Sequence, residues 1–276
     1  VQKAQKDYIL ENQRYEKLED ELWISRKTIQ KYVTHIPLVT GELPIFLAEA
    51  QFNIVIDATY FRDRTDGLAL IRTNTGYNLG FSFIRSESIE AMSGLMHTFS
   101  SAGYATHTLS FTIDGRKSLF KILAKQFPHI PVQMCIFHMK QIITRYITQR
   151  PKTRLGKGLR ILNSLLGEVS EWSFLFLFHA LETHYALFLS EKNIHGDYEH
   201  RRLRSVMRSI RSYLPYLHTY EHFPKRDIPR TTSMCDGYFT HIKSRLRIHR
   251  WLREYNRNNF IIFLLEEQNR KQITRN

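Results

Sequence analysis

The chain has 276 residues, enough for one large domain or two ordinary ones with a sizeable core. Hydrophobic content of 42% and charged content of 24% are ordinary, but 40 Lys and Arg against 26 Asp and Glu leave a net +14, which points to a polyanionic partner, nucleic acid first. No run approaches the roughly 20 apolar residues of a membrane span; no signal peptide is visible; two cysteines, Cys135 and Cys235, exclude a disulfide framework and fit a reduced, intracellular setting.

In 15-YEKLEDELWISRKTIQKYV-33, Leu18, Leu22, Ile29 and Val33 recur at helical period, with a break at Trp23-Ile24. Ser25 can cap a second helix by accepting from the N–H of Thr28. Two short helices around a tight turn give a helix-turn-helix module over residues 1–40. Its second helix would present Arg26, Lys27, Gln30 and Lys31 to a DNA major groove. A charged helical hairpin at the surface is the competing reading.

From Phe52 the period turns strand-like. The segments 52-FNIVIDATYF-61, 68-LALIRTN-74 and 79-LGFSFIRS-86 read as a three-strand meander. An amphipathic helix over 88–103 ends at Gly103, and a strand from His107 stops at Asp114-Gly115. Helix 117–127 is stopped by Pro128, and 131-PVQMCIFH-138 reads as a further strand. This order predicts an α/β mixed sheet with helices packed on it. From about 139 to 225 the pattern is helical, an all-α insertion in which 172-WSFLFLFHAL-181 reads as a buried helix whose Trp172 and Phe174–Phe178 belong to the core. The last segment, 226–276, returns to the core fold with a basic helix over 230–252. Residues 201–276 carry 17 Lys and Arg against 6 Asp and Glu.

Three acids bear on chemistry. Asp57 sits among Ile54, Val55, Ile56 and Ala58, where an unpaired carboxylate is costly. Asp114 ends a strand and is followed by Gly115, Arg116 and Lys117. Carboxylates converging at one sheet edge would hold a divalent cation such as Mg²⁺; a solvent-facing edge strand and a plain Asp-Gly turn are the alternatives. On the last long helix Asp236 shares a face with Thr240, Lys243 and Arg247, with Phe239, Ile242 and Leu246 as the adjoining apolar stripe. Asp236 reads equally as an acid placed to suit the helix dipole.

An Asp in a first strand, an Asp ending a later strand, Cys135-x-x-His138 after it, a helical insertion, then Arg230-Thr231-Thr232 before an acid on a helix: this order resembles the Mutator-like superfamily of DDE transposases, bacterial insertion-sequence members above all. The resemblance runs from the helix-turn-helix to about Leu265. It implies a ribonuclease H-like core (50–138 with 226–276) around the insertion, with Asp57, Asp114 and Asp236 as the catalytic, metal-binding acids. Mg²⁺ is the implied ion, with Mn²⁺ able to substitute. Cys135 and His138 fall beside the acids; His138 would orient a carboxylate or the DNA, whereas Cys135 reads equally as a packed residue. Two ligands cannot close a zinc site. The implied activity is strand cleavage followed by strand transfer at the ends of an insertion sequence, with a dimer or larger assembly on terminal-repeat and target DNA in the bacterial nucleoid. Arg116, Lys117, Arg230, Lys243 and Arg247 join the helix-turn-helix as expected DNA contacts, mostly to phosphates. An inactive, transposase-derived DNA-binding protein and a nuclease without strand transfer are the rival expectations. The chain departs from the family pattern at Asp236, where Glu is usual, at Ser233 and at Trp251. It also lacks the subgroup's N-terminal zinc-binding cysteines and an initial Met, which suggests a truncated or decayed copy.

Overall fold

The computed structural model describes residues 15–29, 50–61, 66–248 and 252–275. The chain forms two compact units: Val1–Phe52, Asp57–His107 and Ser233–Asn276 make the first, Asn53–Ile56 and Thr108–Thr232 the second.

Runs of β-branched and aromatic residues form β1 (Phe52–Tyr60), β2 (Gly67–Thr73), β3 (Asn78–Ile84), β4 (Thr108–Ile113) and β5 (Val132–Met134). They make one sheet in the order β3-β2-β1-β4-β5. β2 and β3 are antiparallel, β4 and β5 parallel, so the sheet is mixed, as the order of elements predicts. β1 lies in the middle, and Ile54, Val55 and Ile56 are wholly buried, as expected of a strand covered on both faces.

In the first unit, α1 (Tyr15–Leu22) is followed by Trp23 at φ 56 and a helical turn at 26–29. Leu18 and Ile29 are buried, and the Thr28 N–H donates to Ser25 Oγ at 3.4 Å, the cap read from sequence. Gln30, Lys31 and Val33, and with them most of the expected recognition helix, lie outside the described residues, as do the turn at 62–65 and Trp251. The β2–β3 turn depends on Gly76 at φ 93, a conformation only glycine adopts cheaply. α2 (Ile89–Ser101) starts at Ser88, whose hydroxyl accepts from the Ala91 N–H. α10 (Ser233–Ile248) and α11 (Glu254–Arg275) complete the unit. Asn78 and Asn269 exchange two hydrogen bonds, 2.8 and 2.9 Å, that tie α11 to β3.

The second unit carries α3 (Lys117–Gln126), α4 (Ile136–Tyr146), α5 (Arg154–Leu165), α6 (Glu171–His184), α7 (Ala186–Ser190), α8 (Arg201–Leu217) and α9 (Thr219–His222). The helical run after His138 is therefore present. Two expectations fail. The strand read over 131–138 ends at Met134, and Cys135 is the N-cap of α4, so the Cys-x-x-His pair opens a helix rather than closing a strand. The cause is distant in sequence: the Ile136 N–H donates to the Arg230 carbonyl at 2.9 Å, satisfying an N-terminal donor and turning the chain. The helix over 172–181 is not buried all round. Phe174 and Phe178 are fully buried, but Trp172 is 75% and Phe176 62% exposed, their rings stacked 5.7 Å apart. Among the described residues no helix is long and apolar enough to cross a membrane.

Candidate active site

In the second unit, Asp114 follows the last residue of β4. The Cys135 N–H donates to the Ile113 carbonyl at 2.7 Å, which extends the parallel pairing one step and sets the start of α4 beside Asp114. Gly115 packs tightly: a Cβ there would meet Met134 Cε and Ile142 Cδ1 at 3.0 Å, and those side-chain ends would have to give by a few tenths of an ångström. The Tyr213 hydroxyl donates to its carbonyl, tying the turn to α8.

Asp114 is held from its own turn. Its Oδ1 accepts from the Arg116 N–H at 3.0 Å, and Arg116 Nε lies 3.5 Å from Oδ2. The side chain is only 19% exposed. Burial raises its pKa, and it prevails over the lowering effect of the Arg116 hydrogen bonds and of the His138 and Arg116 charges.

Cys135 and Thr232, both buried, meet the half-buried His138 at the start of α4. The Thr232 N–H donates to Cys135 Sγ at 3.3 Å, and Thr232 Oγ1 lies 3.6 Å from that sulfur and 3.4 Å from His138 Nδ1. Burial pushes the Cys135 thiol up, but hydrogen bonds from His138 and Thr232 outweigh it and hold the thiol below its ordinary range. Thr232 belongs to the Arg-Thr-Thr run, and here its role is plain: it ties the 229–232 segment to the head of α4. Arg230 beside it lays its guanidinium over the Tyr220 ring at 4.4 Å and donates to the Gly167 carbonyl at 3.3 Å, so packing holds this expected DNA contact at its exposed position.

In the first unit, Asp57 is 7% exposed in β1, and its Oδ1 accepts from the Ala58 N–H at 2.8 Å. Its strand is central, so the solvent-facing edge-strand alternative does not apply. Asp236 lies in the first turn of α10, half-buried, next to the inward-facing Cys235, Tyr238, Phe239 and Ile242. That inward set includes the Phe239 and Ile242 of the predicted stripe, while Lys243 is half-buried and Arg247 exposed. Arg72, which sequence reasoning passed over, is buried here with its guanidinium 4.1 Å from the Tyr238 ring. Burial drives the Arg72 pKa down and that of Tyr238 up to about 12.

The other expected DNA contacts divide. Lys27 and Lys117 are exposed. Arg26 folds back on its own module, 3.3 Å from Glu16 Oε1 and over the Tyr15 ring, while its N–H donates to Glu19 Oε1. Arg116 is half-exposed while serving Asp114. Among the described residues, Glu191, Glu199 and His200 bring three ligand atoms within 4.8 Å, a grouping the sequence pattern did not suggest.

Residues 53–142 match the model of the MULE transposase domain. The matched segment includes Asp57, Asp114, Cys135 and His138 and ends before Asp236. No curated protein matches the sequence.

Proposed function

We propose that this chain, whose residues 53–142 match the MULE transposase domain, is a metal-dependent DNA transposase of the Mutator-like superfamily with Asp57, Asp114 and Asp236 as its metal-binding acids. The observation that carries the reading is the coincidence of that match with two acids in β-sheet positions where a carboxylate is expensive, Asp57 within β1 and Asp114 directly after β4. Three carboxylates form a hard-oxygen donor set that suits Mg²⁺ or Mn²⁺. Such ions, when bound, activate water or a 3′-hydroxyl and neutralise charge on the phosphate being attacked.

The chain's own groups do the rest. Arg116 holds Asp114 by backbone and side chain, fixing the carboxylate while about half of its side chain stays exposed to a DNA phosphate. Lys117, exposed at the first position of α3, adds a second cation. His138, pinned against Cys135 and Thr232, offers its imidazole on the Asp114 side of α4 and orients either that carboxylate or a scissile phosphate. Lys243 and Arg247, one and two turns beyond Thr240 on the face of Asp236, bind flanking phosphates. The N-terminal module places the element's ends.

The test is nicking of supercoiled DNA bearing the sequences that flank the gene, in Mg²⁺ or Mn²⁺. Cleavage is expected, with loss of at least about a hundredfold in Asp57→Asn and Asp114→Asn, the scale of removing a principal transition-state stabiliser. Binding of the same DNA without metal-dependent cleavage identifies the rival, an inactive DNA-binding descendant. Cleavage without joining of the freed 3′ end to a second DNA identifies a simple nuclease.

A further inference from the structure

The longest acid-free stretch of the chain begins at the expected DNA contacts Arg116 and Lys117 and runs far beyond them. From Gly115 to Gly167 there are 11 Lys and Arg and no Asp or Glu. The second unit folds part of this stretch into a groove between α4 and α5, with a volume of ≈ 920 Å³. Lys140, Arg150, Lys157 and Arg160 line it, and no carboxylate does. Lys140 reaches Glu168 at 3.7 Å, outside the lining set. Arg150, Lys157 and Arg160 are exposed.

The groove is not only cationic. Ile147, Pro151 and Ile161 supply an apolar wall, and Ile161 is 61% exposed. Asn163 adds a third element: its amide donates to Thr144 Oγ1 at 3.2 Å, while its buried Oδ1 has no hydrogen-bond partner. A buried acceptor without a donor is costly unless a ligand supplies one.

We infer that the α4–α5 groove is a binding site for a single-stranded nucleic-acid segment, its phosphates on Arg150, Lys157 and Arg160, its sugars or bases against Ile147 and Ile161, and a base N–H donating to Asn163 Oδ1. A duplex would present phosphates only and leave the apolar wall and the lone acceptor unused. A single strand offers anionic, apolar and donor groups together, the combination used by sequence-tolerant single-strand clefts. The site does not depend on the three acids, and it stands even if the chain is catalytically inert.

Fluorescence anisotropy with a labelled 15-nucleotide strand of mixed sequence, in EDTA so that the acids play no part, tests it on the full chain. Arg150→Ala/Lys157→Ala/Arg160→Ala is expected to weaken single-strand binding about tenfold or more at 100 mM salt and to reduce the log–log salt slope by about 2, since each phosphate contact on a single strand contributes about 0.7. Lys125→Ala/Arg202→Ala/Arg208→Ala removes the same charge from exposed positions elsewhere in the unit and should change affinity less than about threefold. Ile161→Ser, which leaves charge unaltered, should weaken the single strand and spare a duplex of the same sequence. Equal losses in the two triple variants, or a duplex that suffers as much as the single strand from Ile161→Ser, would overturn the assignment. So would groove variants that lose binding to anionic phospholipid vesicles while holding the single strand unchanged. All variants lie on exposed side chains, and unchanged thermal melts establish that they fold. Binding is read in EDTA whereas cleavage needs the metal, so failure here and failure of the transposase reading are separable.

Discussion

Replacing Asp114 by Asn should make the apo protein more stable. The carboxylate is four-fifths buried and its pKa is raised, burial first among the causes, so the folded state disfavours its charge. A raised folded-state pKa means that the folded chain holds its proton longer than the unfolded chain. Stability is then lost as pH rises from the unfolded value, about 3.9, through the raised one, and the deficit persists at neutral pH. Asn keeps the acceptor for the Arg116 N–H and removes the charge. It forgoes the 3.5 Å contact with the half-exposed Arg116 side chain, a loss of about 0–1 kcal/mol. Relief of strain at a functional site commonly yields about 0.5–2 kcal/mol, so a net gain of roughly 0.5–1 kcal/mol is expected at pH 7.5, a Tm rise of about 1–3 °C. Thermal melts in EDTA at pH 7.5 and pH 3.5 measure it, and the two proteins should converge at the lower pH. Adding Mg²⁺ should reverse the order, because ligand binding stabilises only the chain that keeps its acid. A variant less stable than wild type at pH 7.5 in EDTA would refute the reasoning and make Asp114 a structural turn residue.

Helix α6 predicts a one-sided response: Phe174→Ala or Phe178→Ala should cost about 3–5 kcal/mol in denaturant unfolding, whereas Trp172→Ala and Phe176→Ala should each cost less than about 1 kcal/mol. Glu221 accepts from the Glu171 N–H at 2.9 Å and lies 2.8 Å from His218 Nδ1, joining α9 to the start of α6. Burial works against its charge, but these hydrogen bonds prevail and depress its pKa. Its stabilisation is therefore present above the unfolded carboxylate pKa and fades as pH falls through the depressed one. Glu221→Gln should cost about 1–2 kcal/mol at pH 7 and progressively less as pH falls below the unfolded carboxylate range, as followed by melts across that range.

Most of the sheet was legible because its signals are local. Runs of β-branched and aromatic residues, the glycine end of the helix at Gly103 and the Asp114-Gly115 stop all act within a few positions. What sequence reasoning missed was set by distant partners. Cys135-Ile-Phe-His looks like more strand, and only the Arg230 carbonyl, 94 residues after Ile136, makes it a helix start. The run 172–181 is apolar at all but Ser173 and His179, so periodicity could not separate Phe174 and Phe178 from Trp172 and Phe176; the packing of the second unit does that. Arg116 reads as a DNA-facing cation from composition, yet it spends its backbone and part of its charge on Asp114. Thr232 carried no chemical signal beyond its place in Arg-Thr-Thr, and its contacts with Cys135 and His138 appear only in the fold. The acid-free stretch from Gly115 to Gly167 is as legible in the sequence as the C-terminal charge excess, but which of its cations share a groove is set by the fold.

Iron-directed backbone cleavage tests the proposed metal site most directly. Fe²⁺ loaded in place of Mg²⁺, with ascorbate and peroxide, generates hydroxyl radicals that cut polypeptide beside the bound ion. The expected fragments end near residues 57, 114 and 236, are suppressed by excess Mg²⁺ and disappear together in Asp57→Asn. Cuts confined to the neighbourhood of Glu191, Glu199 and His200, unaffected by the Asp57 substitution, would contradict the three-acid assignment.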